Sequence, residues 1–110
     1  KDKDSRFIRV SAGMAHKIGL RSSDDVIGLT DADIFSPEHA LMARNDELKI
    51  METGVPLVSR VERETWRDRE DSWCSSTKLP LRDEAGNVIG TFGISRDITD
   101  LKQTEEELAK

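Results

Sequence analysis

The sequence has a single cysteine and no long apolar run, and each of these scarcities excludes a class of protein. Cys74 is the only cysteine among 110 residues, so an intramolecular disulfide is excluded and a reducing compartment is compatible. No apolar run approaches the roughly 18 residues that a membrane-spanning helix needs, and no secretion signal is visible. We therefore expect a cytoplasmic domain without direct membrane insertion, although a parent protein can still be tethered through other segments.

Positive charge is not clustered in this chain. It carries 17 Lys and Arg residues against 22 Asp and Glu residues, for a net charge of −5, and the two signs are interspersed. Because phosphate binding needs clustered Lys and Arg, nucleic acid is not an expected partner. Hydrophobic residues make up 35% of the chain and aromatic residues 5%, which suits one small domain with a modest core.

Residue patterns that support metal binding or catalysis are also lacking. His16 and His39 are the only histidines, whereas a metal site usually needs three or four converging ligands, so we expect surface histidines and no metal. There is no Gly-rich phosphate loop, serine elbow or zinc spacing. Pairs such as Asp31 and Asp33 are better interpreted as turn and capping residues than as an acid/base pair.

Capping signals predict helices in the first half of the chain, after a short strand over residues 7–10. Ser11 is suited to cap a helix over residues 12–18 that Gly19 ends, and further short turns follow up to Phe35. The clearest helix covers residues 37–53, with an N-cap serine, a proline at the first position and a glycine stop. Its apolar stripe consists of Leu41, Leu48 and Met51, with Ala40, Ala43 and Ile50 beside them.

From residue 57 onward the apolar period changes to two. Strands are predicted over residues 57–66, 72–81 and 88–98, and the short polar turns between them make the strands antiparallel neighbours. We expect two strand faces to look onto the long helix: Trp73, Ser75, Thr77, Leu79 and Leu81 on one strand, and Val88, Gly90, Phe92 and Ile94 on the next. The predicted fold is α+β, with helices on one face of an antiparallel sheet.

These segments, in this order, resemble a PAS domain, the sensor module of many bacterial signalling proteins. The resemblance covers nearly the whole chain, through the turn at residues 1–7, the linking segment 26–35, the strand entry 52–56, the last hairpin 79–90 and the exit motif Asp97-Ile98-Thr99. In this family the sheet order is 2-1-5-4-3. The family's first strand is absent here or reduced to a few residues, so we expect another copy of the chain, or a flanking segment, to cover the gap it leaves.

The resemblance implies a sensory or interaction domain of a larger bacterial signal-transduction protein, such as a histidine kinase or a cyclic-dinucleotide enzyme. Residues 1–98 would form the sensor domain and residues 99–110 the start of a helix that leads to an effector domain in the same chain. Asp97 and Thr99 would couple the sensor to this helix, because their side chains can accept hydrogen bonds from its free N–H groups. Leu101 and Leu108 are one heptad apart, which suits a parallel helix pair in a homodimer.

Helices laid over a curved sheet can leave a cavity for a small ligand. The residues expected to line it are Leu41, Leu48, Trp73, Ser75, Thr77, Phe92 and Ile94. Flavin is not expected, since Cys74 lies on a strand rather than in the helical motif of the family's flavin-binding branch. Haem is not expected either, because neither histidine matches the family's haem ligand. A core filled by side chains, with no ligand, is the alternative.

Two other functions remain open from the sequence. A ligand-free dimerisation scaffold predicts a filled core and an apolar patch on the outer face of the sheet, for instance at Val61 and Ile89. A small α+β enzyme predicts an open cavity with converging ionisable residues, and the sequence does not reveal such a set. The domain itself is therefore expected not to be an enzyme.

Overall fold

The computed structural model of the protein describes residues 1–109. Its helices are α1 (Ala12–Ile18), α2 (Pro37–Thr53) and α3 (Thr99–Leu108), and its strands are β1 (Leu57–Glu64), β2 (Ser72–Arg82) and β3 (Val88–Asp97). Two 3₁₀ turns, Ser23–Val26 and Asp31–Asp33, lie between α1 and α2. The α+β class, the helices on one face of the sheet and the exit helix are confirmed.

The ends of the helices follow the predicted capping signals. Ser36 Oγ accepts a hydrogen bond from the His39 N–H at 3.1 Å, which satisfies one of the free donors in the first turn of α2. Gly54 ends the helix in the left-handed region, with φ at 71°, a conformation that costs glycine little. Ser11 caps α1 in the same way, through the Met14 N–H.

The three strands form an antiparallel sheet in the order β1-β2-β3. Val61 lies opposite Ser75 across the first pair, and Ser76 lies opposite Ser95 across the second. A register shift between Leu57 and Arg60 interrupts the start of β1. The meander predicted from the polar turns is therefore present, with strand ends within two residues of those expected.

The expected strand over residues 7–10 does not form. Phe7 donates its N–H to Leu29 O at 2.8 Å and accepts from the Gly28 N–H at 3.0 Å, and an isolated bridge joins Arg6 to Thr30. The prediction of a continuous strand was wrong, because within residues 7–10 only Phe7 forms backbone hydrogen bonds with the neighbouring segment.

The edge of β3 that faces away from β2 is partly covered by the first residues of the chain. The Lys1 backbone nitrogen donates to Thr91 O at 2.7 Å, and the Thr91 N–H donates back to Lys1 O at 3.1 Å. A methyl group at Gly90 would lie 2.0 Å from Lys1 O, so this close approach requires glycine. Coverage of the rest of this edge by a further strand or a second copy stays a prediction.

The face of the sheet that contacts the helices is the opposite of the one expected. Cys74 and Ser76 are buried, whereas the alternate residues of β2, from Trp73 to Leu81, are only half-buried. On β3, Ile94 is 70% exposed. The reason is that the inner face is polar: its charged side chains are paired, so burial does not follow the apolar side of the alternation.

The apolar stripe assigned to α2 is wrong at Leu41 and Leu48 but correct at Ala43 and Ile50, which are buried. The side of α2 that faces the protein interior carries His39, Ala43, Glu47 and Ile50, at spacings of four, four and three residues. Leu41 and Leu48 lie on the exposed sides of the helix. A hydrophobic core of Val26, Ile34, Phe35 and Trp66 packs instead beneath the short turns.

Candidate functional site

A cavity of about 170 Å³ lies between the inner face of the sheet, α2 and the first part of the chain. Its wall is unusually rich in charge for a buried site, with four carboxylates from three different elements. These are Asp31, Glu47, Glu62 and Glu64. All four residues are buried, so each carboxylate depends on nearby cations and donors for its stability.

Three cations hold these carboxylates in place. Lys1 Nζ contacts Asp31 and also Glu47 Oε2, the latter at 2.6 Å. Burial by itself would lower the pKa of Lys1, but the charges of Asp31 and Glu47 outweigh burial, so the pKa is raised above its ordinary value. The ammonium therefore stays charged inside the wall.

The other two pairs lie on β1. Arg60 binds Glu62 Oε1 with its Nη2 at 2.7 Å and also contacts Asp46 of α2. Lys17 Nζ of α1 lies 2.9 Å from Glu64 Oε1. Each cation is thus shared between a carboxylate of the cavity wall and a second carboxylate elsewhere in the fold.

Small polar side chains form the floor of the cavity. Ser76 Oγ donates to Glu62 Oε2 at 3.3 Å and lies within 3.4 Å of both Cys74 Sγ and Ser95 Oγ. Burial raises the pKa of the Cys74 thiol to about 11. The thiol is therefore protonated at neutral pH, as expected for a structural cysteine, and is a poor nucleophile.

The structure brings two of the seven expected pocket residues to the cavity. Thr77 and Phe92 line it. Leu41, Leu48 and Ile94 are 44–70% exposed. Trp73 and Ser75 belong to the outer face of β2 by alternation with the buried Cys74.

The buried charged residues of the wall were missed because charged side chains usually indicate surface. One signal could have given the correct face. Cysteine is among the most often buried residue types, and Cys74 shares its face with Ser76. Asp31, expected to act as a turn residue only, is also part of this wall, while Asp33 caps its turn as predicted, through the Thr30 N–H.

The histidines do not converge on a common site. His16 is exposed, whereas His39 is buried with its ring centroid 4.5 Å from that of Phe35. The expectation of two surface histidines was therefore wrong for His39, which packs as part of the core side of α2. Within residues 1–109 no set of three His, Cys, Asp or Glu residues is arranged to hold a metal ion.

The exit motif fixes the start of α3 to the sheet. Asp97 Oδ1 accepts a hydrogen bond from the Thr99 N–H at 2.9 Å, and Thr99 Oγ1 accepts one from the Trp73 N–H at 3.0 Å. The Lys102 ammonium lies 4.9 Å from the centre of the Trp73 ring. The aspartate thus caps the helix, and the threonine ties it to β2.

The fold and this exit motif define a sensor-type α+β domain, and the sequence identifies its family. The PAS-fold family matches residues 1–103, so the chain belongs to the PAS family. None of the helices described over residues 1–109 is long and apolar enough to cross a membrane.

Two histidine kinases contain segments similar to this chain. The methanogenesis regulatory histidine kinase FilI of Methanothrix harundinacea is 36% identical over 110 residues. The aerobic respiration control sensor protein ArcB of Escherichia coli is 27% identical over 113 residues. Each match covers all of this chain but only 12% and 14% of the respective relative.

Solved structures show the same fold. The VqmA dimer of Vibrio cholerae, a LuxR-type receptor, superposes on 92% of this chain with a TM-score of 0.80 and 28% identity, over 45% of its own chain. VqmA bound to DPO matches 88% of this chain and 49% of its own, with a TM-score of 0.77 and 27% identity. A PAS domain from Colwellia psychrerythraea has a TM-score of 0.72 at 22% identity and covers 90% of this chain and 82% of its own.

Proposed function

We propose that this PAS domain is the sensory module of a larger signal-transduction protein, such as a histidine kinase, with residues 99–110 starting the helix to its effector domain. A small molecule in the cavity would be the stimulus, and α3 would carry the response. The segments of FilI and ArcB that match this chain support the sensory role. The similarity to VqmA bound to DPO supports a small-molecule ligand.

One observation carries the proposal: a continuous series of polar contacts joins the cavity wall to α3. Glu64 lines the cavity, and its Oε1 binds Lys17 Nζ at 2.9 Å. The same ammonium lies 3.4 Å from Asp97 Oδ2. Asp97 in turn caps the Thr99 N–H. A change at the cavity wall can therefore reach the exit helix through one lysine.

The mechanism would be a shift between two populations of the domain. A ligand that moves Glu64 changes how the Lys17 ammonium divides between Glu64 and Asp97. Because Asp97 accepts the first free N–H of α3, this redistribution alters the stability and angle of the helix start. A ligand with equal affinity for both arrangements would transmit nothing.

A dimerisation scaffold is the second candidate, and the outer face of the sheet favours it. Ile94 is 70% exposed and Val61 50%, so this face carries apolar side chains that a second copy could cover. A homodimer through this face is compatible with a sensory role. The VqmA structure, described as a dimer, supports this second candidate.

Native mass spectrometry of the purified chain tests the two candidates. A small molecule retained at one equivalent per chain supports sensing, whereas a ligand-free dimer supports the scaffold. In the full-length parent protein, Asp97→Ala is expected to uncouple the output from the stimulus while the fold persists. Asp100→Ala, at an exposed position in the same turn, is the matched control. Normal regulation in the Asp97 variant would contradict the relay.

A further inference from the structure

We propose that the cavity takes a small ammonium-bearing molecule, an amine that is protonated at neutral pH, with its positive charge held by Glu47. This inference rests on the proposed ligand-sensing function and adds the chemical class of the ligand. It is argued from one unsatisfied oxygen, from the charges of the wall and of its ion-pair partners, and from an ammonium of the chain itself that already binds there.

The unsatisfied oxygen is Glu47 Oε1. Glu47 is 1% exposed and lines the cavity. Its Oε2 binds Lys1 Nζ at 2.6 Å and lies 4.0 Å from Lys78 Nζ, but no donor within residues 1–109 reaches Oε1. A buried carboxylate oxygen without a donor is costly, so a ligand that donates hydrogen bonds gains affinity here.

The charges of the wall and of its ion-pair partners also favour a cation. Four cations form ion pairs with the wall carboxylates, at distances up to 4.0 Å. Two of these cations also pair with a carboxylate outside the wall. The cations are Lys1, Lys17, Arg60 and Lys78, and the six carboxylates are Asp31, Asp46, Glu47, Glu62, Glu64 and Asp97. Six carboxylates and four cations leave two negative charges in excess across this network, and Asp46 and Asp97 of the network lie outside the cavity lining. Arg9, the other cation of the wall, is exposed and forms no ion pair within the described residues.

The chain itself shows that this wall stabilises an alkylammonium. Lys1 Nζ lies between Asp31 and Glu47, and it is 4.8 Å from the centre of the Phe7 ring. Two carboxylates and an aromatic face are the groups that bind organic ammonium ions in proteins. A free amine would use the same chemistry at the remaining oxygen of Glu47.

Other ligand classes fit this wall less well. An anion would meet the four buried carboxylates of the wall, whose charges are poorly screened there. A neutral apolar molecule would leave Glu47 Oε1 without a donor and would desolvate the hydroxyls of Ser76 and Ser95. A small ammonium ion satisfies the carboxylate and can donate to those hydroxyls.

The test compares three probes of one shape and different charge: n-butylammonium, n-butanol and butyrate. Each is titrated into the isotopically labelled 110-residue chain at neutral pH, and amide NMR shifts are followed. We expect n-butylammonium to shift the amides of cavity residues, Glu47 and Ser76 among them, at lower concentration than the other two probes. Its binding should also raise the melting temperature.

Glu47→Gln is expected to weaken n-butylammonium binding about tenfold or more, since it removes a hydrogen bond to a charged group. Glu52→Gln makes the same change at an exposed position of α2 and should leave the affinity unchanged. If Glu47→Gln does not fold, Glu47→Asp keeps the charge and should keep the preference for n-butylammonium over n-butanol.

The outcomes separate the ligand class from the sensory function. Stronger shifts with butyrate or n-butanol at the same amides would overturn the amine class while leaving a ligand-binding cavity. No cavity shift with any probe would overturn the amine class and would also count against ligand sensing. Equal affinity in the Glu47→Gln and Glu52→Gln variants would remove Glu47 from the site.

Discussion

Lys17 is the residue on which the proposed relay depends, and Lys17→Met isolates its charge. Methionine keeps a long apolar side chain that can pack where the lysine stem packs, but it lacks the ammonium. The substitution leaves Glu64, whose side chain is 4% exposed, with a hydrogen bond from Ser72 Oγ at 2.8 Å as its remaining close contact. A buried carboxylate without its cation is destabilising.

The size of the effect follows from the exposure of the two ion pairs. Removing one partner of a fully buried pair costs about 3–5 kcal/mol. The Lys17 side chain is 23% exposed, so part of this cost is relieved by water, while the pair with Asp97, 51% exposed, contributes at most about 1 kcal/mol. We therefore expect Lys17→Met to lower the free energy of unfolding by about 2–3 kcal/mol.

Urea denaturation of a double-mutant cycle measures this value. Lys17→Met and Glu64→Gln should couple strongly, so that the double variant is less destabilised than the sum of the single ones. Coupling of Lys17→Met with Asp97→Asn should stay below about 1 kcal/mol. Hydrogen exchange at the start of α3 should also become faster in Lys17→Met, because Asp97 loses the cation that helps to hold it.

Lys49→Met is the matched control, since Lys49 is exposed on α2 and forms no ion pair within residues 1–109. It should change stability by less than about 0.5 kcal/mol. If Lys17→Met behaves like this control, or if its coupling to Glu64 does not exceed its coupling to Asp97, the cavity wall is not connected to the exit helix through this lysine.

Three further predictions concern stability and reactivity. Because the pKa of Cys74 is about 11, about one molecule per thousand carries the thiolate at pH 8. Alkylation by iodoacetamide should therefore be slow until urea unfolds the chain, and fast labelling of the native protein would contradict the burial of Cys74. Gly90→Ala should lower the free energy of unfolding, measured in urea, by about 1–3 kcal/mol, because the new methyl group clashes with Lys1 O. The control Gly13→Ala in α1 has space for its methyl group and should leave the stability unchanged or raise it. Hydrogen bonds from Thr99 lower the pKa of Asp97 below its ordinary value of 3.8, so its stabilising effect is present above that value and is lost as the pH falls through the folded-state pKa. The protection of the first amides of α3 against exchange, relative to the intrinsic rate at each pH, should fall over that acidic range in the wild type but not in Asp97→Asn.

The boundaries of the elements could be predicted from the sequence because their signals are local. Ser36, Pro37 and Gly54 each act on the backbone next to them, and α2 begins and ends where they indicate. The exit motif was recognisable for the same reason, since the Asp97 side chain bonds an amide only two residues away. Such contacts depend little on the rest of the fold.

The inner face of the sheet could not be predicted in this way, because it is stabilised by contacts far apart in the sequence. Lys17 and Glu64 are 47 residues apart, and Lys1 and Glu47 are 46 apart. Each charged residue taken alone indicates surface, and only the pair explains its burial. The expected lining by Leu41 and Leu48 was wrong for this reason, and of the two alternatives left open, a cavity or a filled core, the structure has the cavity.

The polar interior has a consequence for how the domain can respond to a ligand. In an apolar cavity, a ligand changes packing over a whole surface, and the effect spreads over many weak contacts. Here, each wall carboxylate is joined through a shared cation to a residue on another element, so a ligand that competes for one carboxylate alters a defined partner. Glu64 leads to α3 through Lys17 and Asp97, whereas Glu62 leads through Arg60 to Asp46 on α2. A ligand that contacts Glu64 should therefore affect the exit helix, and one confined to Glu62 should affect α2 instead.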